Sequence, residues 1–262
     1  MTSAPFVVKN PRHSIRLVVI ASFALAFAGK VQATSEYDYK PGEYLVVKDG
    51  KSPDKKFSIV SSERKRDEFG VYLMDAQTKK IIGRLEEVAT DLDTAPDAYY
   101  AHWSPDSKHV GISSRSDRHM LENVIYRIEN RRAYLVQTPE LRCHAVPDFC
   151  KLLKDLGGDS TEEKDDSDSK VRQNSNAPEI VKWTSATRFV VSEGSQFQVR
   201  TRDPSTAVGK YGEVEKENED NADSPGGVYH VWFDAEGECE LLPGDKSQVV
   251  STHPVKKQNE NE

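Results

Sequence analysis

The sequence predicts an all-β protein built from about three four-stranded antiparallel units, with one short helical insertion. Three observations carry that prediction. A turn motif recurs along the chain: "SPDKKFSIVSS" at 52–62, "SPDSKHVGISS" at 104–114 and "TSATRFVVSEG" at 184–194. The stretches leaving each turn, "FSIVS", "HVGIS" and "RFVVS", are rich in β-branched and aromatic residues. A second apolar stretch follows each copy: "VYLMDAQTKKII" at 71–82, "VIYRIENRRAYL" at 124–135 and "HVWFDAEGECEL" at 230–241.

Each unit reads as strand, turn, strand, turn, strand, turn, strand. Proline presets φ in the first turn, and aspartate bonds backbone amides there. Pro53 aligns with Pro105, Asp54 with Asp106 and Lys56 with Lys108. Trp103 aligns with Trp183, Ser104 with Thr184, Ser107 with Thr187, Lys108 with Arg188 and Val110 with Val190; Lys51 replaces tryptophan in the first copy. Asp75-Ala76 aligns with Asp234-Ala235, which predicts short polar turns at "AQTK" and "AEGE". A unit of roughly 40–50 residues has the period of a propeller blade. The first two copies are 52 residues apart and the next two 80, so the surplus predicts an insertion at about 139–177.

These strings resemble the WD40-like (PD40) repeats of the TolB and dipeptidyl-peptidase propellers. The family's blades carry a W-S-P-D-G-K-x-[IL]-[AV]-F signature followed by Y-x-[VI]-D-x-x-[ST]-G-K. Here Ser107 stands where glycine is usual, and Ser185-Ala186 replaces Pro-Asp. The resemblance implies a propeller-like fold and says little about activity, because propellers host many chemistries. It also makes Pro53, Asp54, Trp103, Pro105, Asp106 and Trp183 structural residues of a repeat. Three units fall short of the four or more that close a propeller. An open or partial arc is therefore expected, with self-association through its sheet edges as one way to cover them.

The first 33 residues differ from the rest. Lys9, Arg12 and Arg16 precede the apolar run "LVVIASFALAFA" at 17–28, and small residues close at Val31 and Ala33. These are the parts of a secretory signal peptide cleaved after Ala33. Twelve apolar residues are too few for a bilayer span of about 20, so no stable membrane anchor is expected. Export to the periplasm or medium follows. The segment carries four basic residues and no acidic one, so removing it takes the formal net charge from −7 to −11. Such a chain is a poor partner for nucleic acid.

Residues 34–245 then form the β domain, with insertions at about 139–177 and 203–227, and 246–262 reads as a disordered polar tail. Within the first insertion, apolar spacing with Pro147 and Gly157 predicts a helix over about 147–156. The polar runs at 159–176 and 213–227 read as loops. A turn near Pro147 leaves Cys143 and Cys150 either bridged or as two buried thiols. Cys239 reads as an ordinary buried cysteine.

Catalytic patterns are weak. A serine elbow needs G-x-S-x-G, and "EGSQF" around Ser195 lacks its second glycine. The Cys143-His144-Cys150 group lacks zinc spacing. An EF-hand starting at Asp166 would put Val171 and Ala177 where glycine and glutamate belong. No catalytic, metal or cofactor residue is assigned. The leading expectation is an exported, non-enzymatic module that binds a protein or small ligand. The alternative is a propeller-type hydrolase or lyase for a glycan or lactone, its site assembled only in three dimensions. A third reading is a structural envelope component.

Overall fold

The fold is described from a computed structural model, over residues 35–63, 68–157, 170–217 and 226–255. The expected signal segment with its cleavage site at Ala33 lies outside these residues. Among the described residues no helix is long and apolar enough to cross a membrane.

The chain is mostly β, in one large and mostly antiparallel sheet system with a few short helices. Four strands form a first meander: β1 (Leu45–Lys51), β2 (Phe57–Glu63), β3 (Phe69–Asp75) and β4 (Ile81–Arg84). A second meander contains β5 (Tyr100–Trp103), β6 (His109–Asp117), β7 (Met120–Glu129) and β8 (Arg132–Val136). Two helices follow, α1 (Leu141–Ala145) and α2 (Pro147–Asp155). The third group is β9 (Val171–Trp183), β10 (Arg188–Thr201), α3 (Ser205–Val208), β11 (Gly212–Lys216), β12 (Gly227–Leu242) and β13 (Lys246–Pro254). Single parallel pairings join the groups, Lys48 with Tyr100 and Met120 with Asn176. The strand order runs from β11 to β4 and is not that of a closed propeller.

The repeated turns have the same bonding. Ser52 Oγ donates to Asp54 Oδ1 (2.8 Å) and accepts from the Phe57 amide (3.0 Å), while the Lys56 amide donates to Asp54 Oδ1 (3.0 Å). Ser104, Asp106, His109 and Lys108 repeat those bonds at 2.7, 3.0 and 3.2 Å. Lys55 (φ 61°) and Ser107 (φ 60°) occupy the left-handed region at matching positions. Glycine is the residue that takes this backbone most readily. Asp54 and Asp106 thus satisfy turn amides. The third turn is one residue shorter. The Thr184 amide bonds Arg188 O, whereas the Ser104 amide bonds His109 O, and Ser185 Oγ takes over the aspartate's role. Trp103 therefore pairs with Val110 and Trp183 with Phe189, which corrects the alignment of Val110 with Val190.

The groups pack through apolar seams. Val47, Ile59, Val71 and Leu73 of the first meander share a cluster with Ala101, Val110, Ile112 and Tyr126 of the second. Trp103 is half-buried against it. Ile125 and Val136 share another with Ile180, Phe189 and Cys239 of the third group, where Trp183 is half-buried. Gly111 lets Ile180 pack close at this seam: a Cβ there would lie 2.1 Å from Ile180 Cδ1, which would have to shift. Polar bonds cross both seams: Ser107 Oγ accepts from the Asp54 amide (3.0 Å), Arg131 pairs with Asp75 (2.5 Å) and Arg127 with Asp245 (3.0 Å).

Four expectations need correction. Asp234-Ala235 is no turn: β12 runs straight through it, with residues 231, 233, 235, 237 and 239 buried in strict alternation. Gly237 is small because α1 lies over it, a Cβ falling 2.3 Å from Leu141 Cδ1. The tail from 246 is not disordered over 246–254, which form β13 against β12. The first insertion stops short of 177, since β9 begins at Val171. The second insertion at 203–227 contains α3 and β11 rather than loop alone, with Glu213–Lys216 paired to β12. In β9, β11 and β13 many residues face solvent, so their sequences carry the polarity of loops.

Candidate functional site

The third group has one inward face, formed by Phe189, Val191, Glu193, Ser195, Phe197 and Val199 along β10. The second meander covers the Phe189 end. The α1 residues Leu141 and Ala145 cover Val191 and Ala235. Helix α2 covers the Phe197 end, where Phe149 is fully buried with ring centroids 5.4 Å from Phe197 and 5.8 Å from Phe233. A disulfide between Cys143 and Cys150 (Cα–Cα 5.5 Å) ties α1 to α2 across the break at Val146. Glu140 approaches both sulfurs, but bridged sulfurs are not thiolate metal ligands.

Where the second meander parts from α1, a cavity of about 550 Å³ opens. Strand β7 lines one side through Leu121–Ile125, β9 and β10 line another, and residues 138–142, running into α1, complete the lining. Its base is apolar, with Ile125, Ile180, Phe189 and Cys239. Its polar lining centres on Glu193, which is only 7% exposed. Glu193 Oε2 accepts from the Arg142 amide (3.1 Å), supplying the cap that the first turn of α1 lacks from its own N-cap residue. Ser195 Oγ donates to Asn176 Oδ1 (2.7 Å) and lies 3.5 Å from Glu193. The hydroxyl nearest to a serine-elbow pattern is thus engaged in holding a strand amide.

Three donors in this lining have no partner among the described residues and are shielded from solvent: Asn123 Nδ2, Gln173 Nε2 and Arg142 Nε. Their neighbouring groups are committed. Asn123 Oδ1 accepts from Ser113 Oγ, and Arg142 Nη2 donates to Glu140 (2.9 Å). Unpaired buried donors cost roughly 1–3 kcal/mol each.

Burial pushes the Glu193 carboxyl above its ordinary value; the Arg142 charge and amide pull it down without cancelling that effect. A raised carboxyl binds a proton more tightly in the folded state. Stability therefore falls as pH rises from the unfolded value near 4.5 through the folded one. Asp75 acts oppositely and lower: amide bonds from the 76–79 turn, chiefly Thr78, and the Arg131 charge hold it at about 2, so its contribution is lost as pH falls below 3.8. Glu193→Gln is expected to flatten the decline above about pH 4.5 and leave the acid limb intact. Thermal melts of both proteins from about pH 3 to 8 check this; parallel curves throughout would contradict it.

Of the residues singled out from sequence, Pro53, Asp54, Pro105 and Asp106 sit in the repeated turns and Trp103 and Trp183 at the seams. Trp183 Nε1 donates to His102 O (2.9 Å), and its ring lies over His109 and Phe189. Cys143 and Cys150 brace the helices beside the cavity. None of the three unpaired donors was singled out from sequence. One signal was readable: in "FVVSEGSQF" the alternate positions Phe189, Val191, Glu193, Ser195 and Phe197 place a carboxylate on the apolar face. Comparison with protein-family models, curated proteins and solved structures found no match to the chain.

Proposed function

We propose that the protein is an exported, non-enzymatic binding module whose three meanders are propeller-like blades in an open arc, and whose small-molecule ligand seats in the cavity between the second and third. The observation that carries the binding reading is the half-open cavity at the seam, with an apolar base and a few polar side chains in its wall. Pockets that bind small molecules combine apolar lining with a few placed polar groups in this way. The duplicated turn bonding and the face-sharing seams support the blade reading. The Cys143–Cys150 bridge supports export, since disulfides persist in oxidising compartments.

Filling the cavity tests the binding reading. Val191→Phe enlarges a residue of its wall. A thermal-shift screen of small amphiphiles should give stabilising compounds for the parent protein and none for a Val191→Phe variant that keeps its far-UV spectrum and cooperative melt. Compounds that stabilise both equally, or none that stabilise the parent, would overturn it. Export has its own check. N-terminal sequencing of the mature protein should begin at Thr34, and recovery of residues 1–33 on it would contradict cleavage after Ala33.

A further inference from the structure

We infer that the outer face of the third group docks an extended basic peptide, with an arginine side chain seated against Trp232. This site is separate from the seam cavity, because Trp232 and Gly194 lie on the face of β12 and β10 opposite Phe233 and Glu193. A second, open depression of about 560 Å³ lies there. Strand register builds it. Gly194 pairs with Asp234 on β12 and Ala177 on β9, Gln196 pairs with Trp232 and Ser175, and Glu213 of β11 pairs with Trp232 from the other side. Gly194 and Ala177 thus make a low floor beside the indole, and a Cβ at Gly194 would lie 2.8 Å from Asp234 Oδ1. His230, two residues before Trp232, braces the indole by stacking on it with ring centroids 5.7 Å apart. Trp232 and Asp234 are half-buried and Glu213 and Glu215 exposed, so each can meet a ligand.

Charge selects the partner. Among the described residues, the lining holds the carboxylates of Glu213, Glu215 and Asp234 and no lysine or arginine. An aromatic ring beside carboxylates suits an organic cation, because the ring face attracts the charge and the carboxylates pair with it. Guanidinium fits both best: it is planar, stacks on an indole and bonds a carboxylate bidentately. The acidic row continues along β12 with Glu236 and Glu238 and ends at Glu240, which Arg188 pairs at 3.1 Å. Alternate residues of a strand stand about 6.5–7 Å apart, and an extended peptide presents its own alternate side chains at the same spacing. Basic residues at alternate positions of one peptide therefore meet Asp234, Glu236 and Glu238 in turn. Ser175 and Gln196, which donate or accept, complete the rim for its backbone groups.

Four probes separate the possibilities: a blocked hexapeptide of alternating arginine and serine, its lysine and glutamate counterparts, and cellobiose as a neutral ring. Each is titrated by calorimetry into the mature protein at neutral pH and about 50 mM salt, where screening is modest. The arginine peptide should bind saturably and about threefold or more tightly than the lysine peptide, and the glutamate peptide should not bind. Trp232→Ala should weaken the arginine peptide about threefold to tenfold, the loss of a cation–ring contact. Asp234→Asn should weaken it about threefold or more, and carries the test if Trp232→Ala fails to fold. Equal binding of the arginine and lysine peptides, or arginine-peptide binding undiminished in the folded variants, would mean diffuse attraction to an acidic surface and would overturn the site. Binding of cellobiose without the arginine peptide would overturn the basic partner and give Trp232 to a neutral ring. No binding of any probe would overturn the inference and leave the seam-cavity reading standing, since the two sites lie on opposite faces of β10.

Discussion

Phe149→Ala is expected to lower stability by about 3–5 kcal/mol, the usual cost of deleting a core aromatic. Phe149 is fully buried and makes edge-on contacts with Phe197 and Phe233, which are themselves stacked 5.9 Å apart. It is the main apolar anchor of α2 on the third group of strands, and the disulfide transmits that anchoring to α1. Loss of the ring therefore loosens the α1 wall of the cavity as well as the core. Urea titration followed by far-UV circular dichroism measures the effect. A loss below about 1 kcal/mol would show that α2 is not anchored there.

Trp183→Ala is expected to cost about 3 kcal/mol, at the lower end for a tryptophan because the side chain is only half-buried. The indole spans the second seam, donating to His102 O while lying against Phe189. Phenylalanine separates the two repeat tryptophans. Trp183→Phe leaves His102 O without that donor and should cost about 1 kcal/mol beyond the loss of ring area. Trp103 Nε1 is buried without a partner among the described residues, so Trp103→Phe removes an unmet donor and should cost less. Equal costs for the two phenylalanine variants, measured by the same denaturation, would mean that the Trp183 bond contributes nothing.

The repeated turns were legible because their chemistry is local. Ser-Pro-Asp fixes the backbone and the amide partners within six residues, whatever surrounds it. The third copy misled by one position because Ser185 does in a shorter turn what Asp54 and Asp106 do in theirs. Gly237 suggested a turn, but its small size serves the approach of Leu141, a contact with a residue 96 positions earlier. Strands β11 and β13 and the start of β9 looked like loops because many of their side chains face water. The cavity was least legible. Its walls come from residues 121–125, 138–142 and 173–193, and only folding makes them neighbours. Glu193 alone announced it, as a carboxylate in an apolar alternation.

The measurement that bears most directly on the seam as the binding site is methyl-resolved NMR of the isoleucine-labelled protein titrated with a compound that the thermal-shift screen finds stabilising. Ile125 and Ile180 line the cavity, whereas Ile59 and Ile112 belong to the seam between the first and second meanders. Saturable shifts at the Ile125 and Ile180 methyls, with Ile59 and Ile112 unmoved, are the predicted result. Shifts centred on Ile59 and Ile112, or no saturable shift at Ile125 and Ile180, would contradict the account.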